Sequence, residues 1–136
     1  MTSELYRRGL EIRSEVLGSE YVQAAVAGAD AFNRPFQELV TSACWGGVWG
    51  DEALSRRQRS LLVLAMTAAL NRPHEFKTHF RGALNNGCTL AELRATLLQV
   101  AIYCGMPAGV EAFRLAREVL LEQGVDVSGL EEAPRA

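Results

Sequence analysis

SRRQRSLLVLAMTAALNRPHEFKTHFRGALNNG, residues 55–87, decides the fold class of this 136-residue chain. Ser55 is a good helix N-cap, and the run LLVLAMTAAL at 61–70 is apolar on nearly every side of the helix it opens. A helix that is hydrophobic all round belongs in a core or a subunit interface. Asn71-Arg72-Pro73 starts a second helix, with asparagine as the cap and proline in the first turn. Asn85-Asn86-Gly87 ends it. Two helices therefore follow each other with a short turn between them.

Reading outward, the punctuation stays helical. Residues 4–17 form one helix closed by Gly18, and residues 20–27 a short one closed by Gly28. Residues 32–44 read as a third, with Pro35 near its first turn. Gly46, Gly47 and Gly50 with Trp45 and Trp49 read as a flexible loop, a candidate pocket wall. Thr89-Leu-Ala-Glu92 is a capping box for a helix running to Tyr103-Cys104-Gly105. A last helix starts near Pro107 and ends at Gly124, and VSGLEEAPRA reads as a frayed polar tail. Nothing alternates with period two over a useful length. The expectation is an all-α single domain of six to seven helices at 1–125, followed by a polar tail at 126–136.

Composition narrows the function. Apolar residues make up 49% and charged residues 22%, as in soluble globular proteins. A net charge of −2 argues against nucleic-acid binding, which needs surplus cations to displace counterions. The ten-residue apolar run is about half of what a membrane span needs, and the charged, amphipathic N-terminus is unlike a signal peptide. The three cysteines, Cys44, Cys88 and Cys104, form no close pair and read as small buried hydrophobes. A cytoplasmic location with reduced thiols is expected.

Arg72, Glu75 and His79 stand at i, i+3 and i+7, which is one stripe of a helix. A carboxylate beside an imidazole holds its tautomer and raises its pKa, as suits a proton donor working near pH 7. The same spacing also serves an ordinary surface ion pair. His74 and His79 are five residues apart, about 140° around a helix, so they do not share a metal readily. No third ligand is evident, and no metal site is expected. Arg56, Arg57 and Arg59 crowd a helix start, where the dipole favours anions instead. Either they are a solvated first turn, or one of them, best Arg59, meets an anionic ligand beside the apolar face. Trp45 and Trp49 could equally be core.

The segments YRRGLEIRSEVLG, FNRPFQELVT, CWGGVWG, SRRQRSLLVLAM, ALNRPHEFKTHFRGALNNGCT, LLQVAIYCGMPAG and AFRLAREVL occur in order over residues 6–120. In these the chain resembles the γ-carboxymuconolactone decarboxylase family. The wider superfamily includes alkylhydroperoxidase-like enzymes with a C-x-x-C-x-x-x-H signature. Here that spacing is filled by Arg72, Glu75 and His79, which leaves thiol peroxidase chemistry no cysteine pair. The resemblance implies an alkylhydroperoxidase-like helical fold and a homo-oligomer, commonly a hexamer built as a trimer of dimers. It implies a carbon–carbon lyase of protocatechuate catabolism that decarboxylates 4-carboxymuconolactone to the β-ketoadipate enol-lactone without metal or organic cofactor. Chemistry and matched positions together make His79 the expected proton donor, oriented and held protonated by Glu75. Arg59 and Arg72 are expected on the substrate's carboxylates, and Trp45 in the pocket wall. Two positions depart from the family: Cys44 stands where a small residue such as alanine is usual, and Ala95 where the family carries a second acid. They keep open a different lactone or keto acid on the same fold, and beyond that a non-enzymatic anion-binding oligomer.

Overall fold

The computed structural model describes residues 3–132, with side chains through residue 130. Its helices are α1 (Glu4–Leu17), α2 (Ser19–Ala27), α3 (Arg34–Leu39), a π-helix (Val40–Val48), α4 (Arg56–Ala69), α5 (Pro73–Asn85), α6 (Leu90–Cys104), α7 (Met106–Glu122) and a 3-10 turn (Ser128–Glu132). No strand occurs among the described residues, so the all-α expectation holds. No described helix is long and apolar enough to cross a membrane. The helices gather into two compact units that divide between Arg59 and Ser60, in the first turn of α4.

In the first unit α1 begins at Ser3, whose Oγ accepts from the Tyr6 N–H at 3.0 Å. Its buried face is Gly9, Ile12, Arg13 and Val16, spaced i, i+3, i+4, i+7. Helix α3 starts two residues later than the sequence suggests. Asp30 and Asn33 cap each other's backbone: Asp30 Oδ1 accepts from Phe32 and Asn33, and Asn33 Oδ1 from Asp30. The chain is thus held in a turn up to residue 33.

The main departure follows. Residues expected as the end of a helix and a glycine-rich loop form a π-helix of nine residues, its i→i+5 pattern carried on by Trp49 N–H to Cys44 O at 2.9 Å. Its glycines serve close approach rather than flexibility. A Cβ on Gly9 would overlap the Thr41 carbonyl, and one on Gly46 would overlap the Leu5 carbonyl. Helix α1 and the π-helix therefore touch backbone to backbone.

In the second unit, Leu64, Phe76, Phe80, Leu93, Leu97, Leu115 and Val119 lead one apolar core. Helix α4 opens on a reciprocal cap within the first unit, Gln58 N–H to Ser55 Oγ at 3.1 Å and Ser55 N–H to Gln58 Oε1 at 2.8 Å. The expected Thr89–Glu92 capping box on α6 is present. Gly105, at φ 102°, turns α6 into α7, and Gly109 packs so close to α6 that a Cβ would lie 2.5 Å from that of Ala101. Cys88 is buried, but Cys104 is exposed at the end of α6, so it is not the core residue the sequence suggested.

Candidate active site

The Arg72-Glu75-His79 stripe is only partly helical. Pro73 is the first residue of α5, and Arg72 is its N-cap with φ −117° and ψ 77°. Asn71, the expected cap, instead takes φ 56° in the left-handed region that asparagine tolerates better than most residues. Proline explains the shift, because the residue before it is driven out of the α region. The Arg72 guanidinium turns back on its own chain, with Nη1 donating to Leu70 O at 2.9 Å and Asn71 O at 3.4 Å. Arg72 also lines a cavity of about 270 Å³ with Thr67, Asn71, Phe76, Pro107 and Glu111, which does not include Glu75 or His79.

Glu75 and His79 do share one face of α5, one turn apart. Glu75 is exposed and His79 is mostly buried. The carboxylate raises the imidazole pKa, but burial outweighs it and pushes the value down to about 4. The expectation that Glu75 keeps His79 protonated is corrected for the chain without substrate. The ring is neutral at pH 7, because removing an imidazolium from water costs more than one solvated carboxylate returns.

The arginine cluster resolves into distinct roles. Arg56 Nη1 pairs with Glu15 Oε2. Arg59 Nη2 donates to Asp51 O at 2.9 Å, while its Nε is buried with no acceptor. A buried guanidinium N–H without an acceptor is costly and fits an anion-binding role. Trp45 is 3% exposed and Trp49 8%; their rings stack at 4.6 Å and 27°. The π-helix sets this pair, placing its two members nearly one turn apart. Trp45 is thus a core residue of the first unit, the structural role left open by the sequence.

One residue escaped sequence reasoning. Arg13 is 7% exposed, donating from Nη1 to Gln37 Oε1 at 3.0 Å and Thr41 Oγ1 at 3.2 Å, with Nε left without an acceptor. No carboxylate accepts from it among the described residues. The signal was present, since Arg13 falls inside the i, i+3, i+4, i+7 stripe of α1. Nearby, burial pushes the Cys44 thiol up and the Arg13 charge draws it partly down.

The second unit thus carries a mostly buried imidazole beside a carboxylate, and each unit carries arginine donors of the sort that bind carboxylates. Residues 34–118 match the carboxymuconolactone decarboxylase family. The chain is 44% identical over 121 residues to a nitrosuccinic acid decarboxylase of Metarhizium robertsii, covering 86% of this chain and 85% of that one. It is 38% identical over 120 residues to a 4-carboxymuconolactone decarboxylase of Acinetobacter baylyi, covering 88% and 90%. By the family match and by both relatives, this chain belongs to the carboxymuconolactone decarboxylase family.

Proposed function

We propose that the protein decarboxylates 4-carboxymuconolactone to the β-ketoadipate enol-lactone, and that it draws on no metal or organic cofactor. The observation that carries this is the 38% identity, over nearly the whole of both chains, to a 4-carboxymuconolactone decarboxylase. The chemistry asks little of the protein. The bond between the γ-carbon and its carboxylate breaks and CO₂ leaves. The electron pair runs through the ring into the lactone carbonyl, giving a dienolate that is its own electron sink. A proton then adds at the α-carbon.

Arg59 and Arg72 hold the substrate's two carboxylates, Arg59 through its buried, unsatisfied Nε. His79 supplies the proton and Glu75 orients it. Because the imidazole is neutral without substrate, the dianion itself charges it: two bound carboxylates raise the His79 pKa, and a proton enters with the substrate. Burial then helps catalysis, since a desolvated imidazolium is a stronger acid than a solvated one.

A second reading is favoured by the higher identity to a nitrosuccinic acid decarboxylase. Loss of the carboxylate from a nitro-bearing carbon leaves a nitronate, which is likewise a self-contained electron sink beside a second carboxylate. The same arginines and proton donor serve either substrate. Whichever acid it takes, the protein works in the cytoplasm as a homo-oligomer, a hexamer built as a trimer of dimers. Exposed apolar residues on α6 and α7 support assembly, among them Leu98, Ile102, Tyr103 and Val110.

The test follows CO₂ release from each acid in chelated buffer. Rapid turnover of the lactone with slow turnover of nitrosuccinate is expected. The reverse order establishes the second reading, and turnover of neither overturns both.

A further inference from the structure

The second unit contains a cleft lined by none of the residues proposed for the decarboxylation. It has a volume of about 250 Å³ and a floor of Phe80, Leu93, Leu97 and Ala116, all buried. Two arginines line it, Arg94 from α6 and Arg117 from α7, both exposed. Neither makes an ion pair or a side-chain hydrogen bond among the described residues. Arg114, three residues before Arg117, is by contrast held by Glu111 and Glu118.

One wall of the cleft is the segment that reads in sequence as a frayed tail. Gly124, at φ 64°, ends α7 and turns the chain back, with Val125 N–H on Leu120 O at 3.0 Å. Val127 and Leu130 then line the cleft. The hydrogen bonds of residues 126–130 among the described residues stay inside the segment: Ser128 on Asp126, and Leu130 N–H on Val127 O. This wall is thus held by apolar contact, which a ligand can extend.

We infer that this cleft binds a small apolar monocarboxylate, an arylalkanoic acid, with its ring against Phe80 and Leu97 and its carboxylate on Arg94 and Arg117. An apolar floor selects an apolar body, and guanidinium forks match a planar carboxylate. A dry cavity of about 150 Å³ holds benzene, so this one has room for a ring and a short chain. The ligand differs from the proposed substrate in kind, being a monoanion with a hydrophobic body.

The test titrates the whole protein with 3-phenylpropanoate by calorimetry and by amide chemical shifts. The neutral alcohol 3-phenylpropan-1-ol and the double variant Arg94→Gln/Arg117→Gln serve as controls. Both substitutions are at exposed positions, and an unchanged melting temperature certifies the fold. Saturable binding is expected, with shifts concentrated in residues 90–97 and 116–130. The alcohol, and the acid on the double variant, bind at least about tenfold more weakly, the equivalent of about 1.4 kcal/mol. The proposal is overturned by no saturation up to about 10 mM, which is weaker than a free energy of about −3 kcal/mol. It is equally overturned by equal affinity for acid and alcohol, by undiminished binding to the double variant, or by shifts centred on Arg59 and His79.

Discussion

His79 is neutral where the proposed reaction needs a proton, and this tension makes it testable. His79→Gln keeps the size and polarity of the side chain but cannot carry the charge. Turnover should fall by about 10² to 10⁴, the usual share of general acid–base catalysis, with the circular dichroism spectrum unchanged. Undiminished turnover would take His79 out of the mechanism. Stability gives an independent reading of the same ring. Its pKa drops from an ordinary 6.5 unfolded to about 4 folded, so between those values the unfolded chain binds more protons. The contribution is complete above pH 6.5 and is lost as pH falls toward 4, up to about 3 kcal/mol. Urea titrations at pH 7 and pH 4.5 should show a larger loss for the native chain than for His79→Gln; equal losses would mean the ring is not desolvated. At this scale the sequence was a fair guide to which side chains are neighbours on α5 and a poor one to protonation state. Spacing paired Glu75 with His79, but the sign of the pKa shift depends on burial by distant residues. Only the helical register of Arg72 was misjudged, and for a local reason, since a proline at the first helical position removes its predecessor from the stripe.

At the scale of elements, helices with chemical punctuation were legible. Gly18 ends α1 where expected, and Thr89–Glu92 caps α6. The π-helix was not, because an i→i+5 register has no composition of its own and Trp-Gly-Gly reads locally as a turn. What distinguishes it is contact with α1, where Gly9 meets Thr41, 32 residues further on in sequence. The contact is tight enough to test. Gly9→Ala places a methyl group against the Thr41 carbonyl and should cost on the order of 3 kcal/mol, the upper part of the overpacking range. It should also weaken the near-ultraviolet dichroism of the stacked Trp45–Trp49 pair, which the π-helix sets. A variant as stable as the native chain, with its aromatic spectrum intact, would refute the backbone contact.

For the whole molecule, the class was legible from helical periodicity and the absence of alternation. The surface is less easily read, because one sequence cannot say which apolar positions face solvent in a single chain. Leu98, Ile102 and Tyr103 on α6, and Met106 and Val110 on α7, are all more than half exposed. On a stable isolated subunit such a stripe is a solubility hazard. The double variant Ile102→Asp/Val110→Asp should shift the protein to a smaller species in sedimentation, with helix content retained. Unaltered sedimentation would overturn assembly of the proposed homo-oligomer through this stripe.

Cys104 acquires a use from its position. It is exposed at the end of α6, while Cys88 is buried and Cys44 is partly covered. A maleimide dye therefore finds one thiol far more quickly than the other two, and that thiol follows directly on the stripe through Ile102 and Tyr103. The chain carries its own reporter: alkylation at Cys104 runs freely on a lone subunit and slows when another subunit covers that stripe, so a stopwatch and a dye can follow assembly without altering a residue.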